Sequence, residues 1–426
     1  MRRTVALVAA FTILIPWLGG RQVDATDGWT FRGGADVVVE WNQILQSSVP
    51  PTASLAAPRF YSMMHIAMFD AANAVERRYT PYRVQLRHAW GASGEAAAAQ
   101  AAHDVLAALL PANQGVFDAA LAARLNRLPR GRREASVLVG RTVAREILDW
   151  RDNDGWNAAP PPYVLPPFPG LWQPAPGPAS FTQYPDVLPF GLLTGTQYLP
   201  GPPPTLTSER YAADFDEVRR LGSATSPERT LEQTQVARLF AAVGTRTNLY
   251  MLWNNVTRDV VRDVGLDLVD AARLFVLVNV GIIDGVQTTM SSKYIYGVWR
   301  PVTAIRRADE DLNPATAADA AWTPLLATPG YPSYSGNQAC VASAAARALA
   351  LVAETDDFPI AAVWHAADGS VVATRYYPGF GAMAEEQARS RVFGGIHFTF
   401  DNESSQRVCP AVVDYVADHF MRRRER

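Results

Sequence analysis

The sequence predicts an all-α protein of packed helical bundles with one long, ordered, proline-rich loop. Three observations predict it. Apolar residues recur at three- and four-residue spacing through most of the chain, strand signals are scarce, and the composition is that of an ordinary globular protein, 48% hydrophobic and 19% charged. With 39 basic against 41 acidic side chains the net charge is −2, so no polyelectrolyte footprint for nucleic acid exists and any anion site must be local.

In chain order, Arg2 and Arg3 precede the apolar stretch Val5 to Leu18, and Val23-Asp24-Ala25 offers a small-residue cleavage site. Residues 1–25 therefore read as an export signal, with a mature chain of 26–426 that is secreted or periplasmic and not inserted in a membrane. Ala-rich amphipathic stretches predict helices over Ala35–Gln46, Pro58–Val75, Gly94–Leu109, Asn113–Leu128 and Arg132–Asp152, an N-terminal half at 35–155. Between Pro160 and Pro204 lie 15 of the 31 prolines together with Trp172, Phe181, Tyr184, Phe190 and Tyr198. A disordered linker would carry few aromatics, so 156–206 reads as a loop wrapped over the core of one structural unit. The C-terminal half, 207–426, resumes with helices over Ser208–Leu221, Pro227–Val243 (Ser226-Pro227 serving as N-cap and first turn), Asn254–Arg262, Leu266–Ser292, Asn337–Glu354, Phe380–Val392 and Ser404–Arg422. Cys340 and Cys409 read equally well as one disulfide or as two buried thiols. A Gly-rich phosphate loop, a His-Glu-x-x-His pair and a cysteine cluster are all absent, which removes the usual signals of nucleotide hydrolysis and zinc chemistry.

One residue is marked by rarity: Lys293 is the single lysine beside 38 arginines. An arginine-biased genome explains the 38 and leaves the survivor unexplained, since a compact ammonium and a planar fork suit different sites. Arg300 follows seven residues later, two helical turns on, so a helix through both would project both cations from one face until Pro301 stopped it. Next, Thr328-Pro329-Gly330-Tyr331-Pro332-Ser333-Tyr334-Ser335-Gly336-Asn337-Gln338 is a turn that feeds an Ala-rich helix, whose first N–H groups seat an anion. Third, Ser390-Arg391-Val392-Phe393-Gly394-Gly395-Ile396-His397 sets an arginine and a histidine on either side of a glycine break. Three cations, a helix N-terminus and an imidazole form a candidate seat for a tetrahedral or trigonal-bipyramidal oxyanion.

Lys293-x6-Arg300-Pro301, the proline-rich turn, and Ser390-Arg391-x3-Gly395-x-His397 resemble the three-part signature of the vanadium-dependent haloperoxidases and their relatives, the type 2 phosphatidic acid phosphatases. Lys293 through Arg306, the Trp172 loop and Leu206-Thr207-Ser208 sharpen the likeness to the bacterial haloperoxidase-like branch. The resemblance implies vanadate as cofactor, with phosphate able to occupy the same site, and hydrogen peroxide, a halide and a small organic substrate as partners; a homo-oligomer is compatible with it. It implies that His397 is the axial vanadate ligand, or the nucleophile toward phosphate. Lys293 would polarise peroxide, Arg300 and Arg391 would neutralise equatorial oxygens, and the N–H groups of Gly336 and Asn337 would add donors. The middle motif departs from the family pattern, because relatives carry Ser-Gly-His there. A gapless match puts Gln338 at the histidine, a one-residue gap puts Asn337 there, and neither amide transfers a proton at ordinary pH. The implied activity is a haloperoxidase weakened at that position; the alternatives are an acid phosphatase and a non-catalytic oxyanion-binding relative. Asp401 reads as a surface carboxylate beside the next helix, with orientation of His397 as its other reading. Among the remaining histidines, His365 is the one candidate to replace the missing imidazole.

Overall fold

The computed structural model describes residues 32–50, 55–174 and 177–424, so the expected export signal lies outside the described residues. The first half contains α1 (Ala35–Ser48), α2 (Ala56–Glu76), α3 (Gly94–Leu109), α4 (Gln114–Leu125) and α5 (Arg130–Asp152). Alanine and glycine set their spacing. A Cβ on Gly140 of α5 would stand 2.5 Å from the Cβ of Gln100 and 2.6 Å from the carbonyl oxygen of Ala97, so α3 and α5 cross with no room for a larger side chain.

The second half contains α6 (Glu209–Gly222), α7 (Leu231–Phe240), α8 (Leu249–Val264), α9 (Leu268–Tyr296), α10 (Pro301–Arg306), α11 (Asn337–Ala353), α12 (Phe380–Phe393) and α13 (Thr399–His419). Every residue of α9 from Leu274 to Lys293 is buried, which marks it as a central helix rather than an amphipathic one. It packs against α1 and α2 on one side and against α11 and α13 on the other. Among the described residues no helix is long and apolar enough to cross a membrane.

Three local expectations are corrected. α7 begins at Leu231 rather than Pro227, because Thr230 and Gln233 form a reciprocal capping box, while the Ser226 hydroxyl closes a turn onto the Arg220 carbonyl. α13 begins at Thr399 rather than Ser404, its first turn held by the Asp401 carboxylate accepting from the Phe398 N–H at 3.0 Å. An antiparallel hairpin, β1 (Ile360–His365) and β2 (Val371–Tyr377), occupies a stretch with no strand expectation. Ile360, Ala362 and Trp364 are its buried face, too short an alternation to stand out in the sequence.

The described residues of the proline-rich segment are ordered, and their partners explain why. Trp172 N–H donates to Gly297 O at 2.7 Å and Trp299 N–H to Gly170 O at 2.9 Å; Ser180 N–H donates to Gly330 O at 2.9 Å. Buried Asp284 of α9 accepts from the N–H groups of Phe190, Gly191 and Leu192 at 2.8, 2.6 and 3.0 Å. A carboxylate satisfied by three main-chain donors substitutes for regular structure in fixing this loop.

Cys340 of α11 and Cys409 of α13 are bonded to each other, both buried against Gly285 of α9. The bond closes a 69-residue separation. The double variant Cys340→Ala/Cys409→Ala is expected to lose about 2–4 kcal/mol of unfolding free energy in denaturant titration.

His65 of α2 is fully buried, stacked on Phe275 with ring centroids 4.4 Å apart, its Nε2 accepting from Asn42 Nδ2 at 2.9 Å. Burial, then the Arg258 charge, pushes its pKa down to about 3. The unfolded chain takes up this proton near pH 6.5 and the folded chain does not, so stability is lost as pH falls below about 6.5, by up to about 1.4 kcal/mol per unit down to pH 3. His65→Leu leaves Asn42 Nδ2 its bond to Asn254 Oδ1 at 2.8 Å, and should flatten that acid slope in pH-dependent unfolding.

Candidate oxyanion site

The three sequence motifs meet where α9, α11, α12 and α13 come together. Lys293, in the last turn of α9, is fully buried, its Nζ donating to Ser333 O at 2.7 Å and Ser335 O at 2.5 Å. The helix does not continue to Arg300. It ends at Tyr296, with Gly297 at φ +59° and the Gly297 N–H closing on Lys293 O at 2.9 Å. The chain then runs beside the proline-rich loop to Arg300, and Pro301 opens α10 instead of stopping a helix. The two cations meet through this break in the helix and not by helical spacing.

Arg300 is 1% exposed and spends two donors on the main chain, Nε to Tyr331 O and Nη1 to Ile396 O, each at 2.8 Å. Nη1 also donates to His397 Nε2 at 3.1 Å. The Tyr331 ring lies against both cations, 5.3 Å from Lys293 Nζ and 5.0 Å from the Arg300 guanidinium carbon. Arg391 sits in the last turn of α12 and is buried. The Gly394-Gly395 break then redirects the chain to His397; Gly395 has φ +75°, and its Cβ would fall 2.3 Å from the Gly222 carbonyl oxygen at the end of α6.

Asp401 is not on the surface. It is fully buried, and its Oδ2 receives Ser333 Oγ at 2.6 Å, His397 Nδ1 at 2.9 Å and Phe398 N–H at 3.0 Å. Four residues after His397, it reaches back one turn because α13 starts early. A guanidinium can only donate, so Nε2 of His397 is the acceptor, Nδ1 carries the proton, and that proton goes to Asp401. His397 is thus neutral with its Nε2 lone pair turned to the cations.

The charges do not balance. Lys293, Arg300 and Arg391 stand against one carboxylate, Asp401. Burial, then Arg300, draws the Lys293 ammonium well below the usual amine range, and burial pushes Arg391 down to about 10. Burial, then Arg300, Lys293 and Arg391, holds His397 well below the usual imidazole range. Burial raises Asp401 to about 6, against the lowering by its Ser333 bond and by Lys293. Arg300 Nη2, Arg391 Nε and Nη1, and Ser335 Oγ are buried donors with no hydrogen-bond partner among the described residues. Buried donors and net positive charge left unmatched are what an oxyanion would complete.

The middle motif is only partly as expected. The Gly336 N–H is spent on Asp401 O at 2.9 Å, so it is not an oxyanion donor. Asn337, Gln338 and Ala339 carry the N–H groups ahead of the first intrahelical bond, Cys340 N–H to Gly336 O. The Asn337 amide is locked to α9, accepting from Thr289 Oγ1 at 2.6 Å and donating to Met290 Sδ at 3.4 Å. Gln338 accepts at its main-chain oxygen from Gln387 Nε2 at 3.0 Å, and its own buried Oε1 has no partner among the described residues. His365 ends β1, its main chain tied to Thr245, Arg246 and Thr247, and no hydrogen bond among the described residues joins it to Lys293, Arg300, Arg391 or His397. Ser333 escaped sequence reading because a serine in a turn carries no distinguishing signal, whereas Ser335 entered it as the serine of the one-residue-gap match to Ser-Gly-His.

Residues 273–426 match the family model described as the VCPO second helical-bundle domain. No curated protein sequence matches the chain. Among solved structures, a bacterial vanadium-dependent iodoperoxidase superposes with a TM-score of 0.74 at 20% identity, over 92% of this chain and 97% of that one. A holo-type bacterial vanadium-dependent chloroperoxidase gives 0.70 at 16% identity, over 87% and 92%. An apo-type bacterial vanadium-dependent chloroperoxidase gives 0.68 at 15%, over 87% and 94%. The motif-bearing segment, residues 273–426, is thus similar to the VCPO second helical-bundle domain, within a chain that has the overall fold of the bacterial vanadium haloperoxidases.

Proposed function

We propose that the chain is a vanadate-dependent, haloperoxidase-like oxidoreductase, converting peroxide and halide to a hypohalous species, with its proton-transfer position altered. The observation that carries this reading is the neutral His397 Nε2 lone pair set among three buried cations that share one carboxylate. Vanadate bound there would supply the Lewis-acidic centre that activates hydrogen peroxide toward halide. His397 Nε2 would hold it by exchanging its hydrogen bond from Arg300 Nη1 for the ligand, with Arg300 Nη2 and Arg391 Nε and Nη1 on its oxygens. Lys293 has one N–H left beyond its two carbonyl bonds, enough to polarise a bound oxygen. Neither Gln338 nor Asn337 can pass a proton, so these residues orient and do not act as acid or base. That amide pair is the observation favouring the second reading, an oxyanion-binding relative without turnover. An acid phosphatase would use the same Nε2 as nucleophile. Export from the cytoplasm belongs to the proposal and accords with the Cys340–Cys409 bond.

The deciding experiment is a bromination assay with peroxide and bromide, with and without orthovanadate, run beside a chromogenic phosphate ester and beside calorimetric titration with orthovanadate. Vanadate-dependent bromination supports the proposal; ester hydrolysis alone supports the phosphatase; binding without either reaction supports the second reading.

A further inference from the structure

Ser333 makes four polar contacts that no other residue of the turn combines. Its N–H donates to Val298 O at 2.8 Å, fixing the turn beside the segment that leads to Arg300. Its carbonyl accepts from Lys293 Nζ at 2.7 Å. Its hydroxyl lies 2.6 Å from Asp401 Oδ2 and 3.4 Å from His397 Nδ1, and the side chain is fully buried.

A hydroxyl has one proton to give, and 2.6 Å against 3.4 Å assigns it to Asp401. The alternative fails on the ring's other side. If the hydroxyl donated to Nδ1, Nδ1 would be bare and a neutral imidazole would carry its proton on Nε2, facing the Arg300 Nη1 donor at 3.1 Å. Two donors would then oppose each other in a buried site. Asp401 Oδ1 has no partner among the described residues, so the direction of this carboxylate rests on the bonds to Oδ2 alone. Of the three, Phe398 N–H is fixed by the helix start and His397 is the group being oriented, which leaves the Ser333 hydroxyl as the independent side-chain anchor.

We infer that Ser333 is a positioning residue: its hydroxyl holds the Asp401 carboxylate against His397 and thereby keeps the imidazole in the Nδ1–H form with Nε2 bare. The tautomer claim stands on hydrogen-bond geometry alone; its consequence for ligand affinity rests on the reading of His397 as a ligand given above.

Imidazole nitrogen NMR on histidine-labelled, metal-free protein tests it, with six histidines to assign. Wild type should show His397 protonated at Nδ1 and bare at Nε2. Ser333→Ala should show a mixture of the two tautomers or exchange between them, and Ser333→Thr, which restores a hydroxyl, should return the wild-type pattern. Vanadate titration should show about 10- to 100-fold weaker binding for Ser333→Ala, recovered in Ser333→Thr. Wild type with Nε2 protonated overturns the inference without any variant, and so does Ser333→Ala with an unchanged tautomer. Should Ser333→Ala not fold, Ser333→Cys, which keeps the volume and weakens the donor, is read the same way. If no form binds vanadate, the functional proposal fails while the tautomer pattern still decides the role of Ser333.

Discussion

Arg391→Ala is expected to weaken vanadate and phosphate binding by about 30-fold to several thousand-fold, the range set by truncating one partner of a desolvated charged contact at about 2–5 kcal/mol. The same variant should keep or gain unfolding free energy when no oxyanion is present. The two expectations come from one fact: Arg391 is buried with Nε and Nη1 lacking partners, so removing it relieves an uncompensated charge in the free protein and deletes donors from the bound one. An ordinary structural ion pair would behave in the opposite way, losing stability and leaving the anion untouched. Calorimetric titration with orthovanadate and with phosphate, beside denaturant unfolding in anion-free buffer, separates the two. Unchanged affinity, or a large fall in anion-free stability, removes Arg391 from the seat.

Gln338→His is expected to raise vanadate-dependent bromination by about 10²–10⁴-fold, the usual contribution of general acid–base catalysis. Gln338 is the better position of the two candidates for this gain. The Asn337 side chain is committed to Thr289 and Met290, so a histidine there must first break those contacts, whereas the Gln338 Oε1 has no partner among the described residues to lose. At the start of α11 the helix dipole lowers imidazole basicity and a bound oxyanion raises it, so the two influences oppose and leave a usable pKa. Asn337→His, assayed in parallel, should gain less. If wild type already turns over as fast as Gln338→His, the absent imidazole does not limit the chemistry and proton transfer runs through substrate or solvent.

Local patterning carried much of the architecture. The Ala-rich stretches at Gly94–Leu109 and Asn337–Glu354 form α3 and α11 within one residue of expectation, because their periodicity lies in the segment itself; α3 is capped by Ser93 just ahead of it, and α11 starts without a side-chain cap. The aromatic content of the proline-rich stretch likewise announced order, though not the Asp284 carboxylate that enforces it from about a hundred residues away. Where two local signals competed, the better-satisfied cap prevailed, as at Thr230 over Ser226. The hairpin at 360–377 and the Cys340–Cys409 bond carried no decisive local signal.

For the site, the sequence by itself determined which chemistry is available: one ammonium at Lys293, guanidiniums at Arg300 and Arg391, an imidazole at His397, and an amide where the related motif has a second imidazole. Tertiary structure decided how those groups are used. It brought Lys293 to the carbonyl of Ser333, 40 residues away, and Arg300 to His397, 97 residues away, across a helix break at Gly297 that helical spacing does not foresee. It buried Asp401, spent the Gly336 N–H, and fixed the His397 tautomer through Arg300 on one side and Asp401 and Ser333 on the other. The division has a physical reason. A side chain's functional group is a property of one position, whereas its protonation, tautomer and free donors depend on burial and on partners that only the folded chain brings within hydrogen-bonding distance.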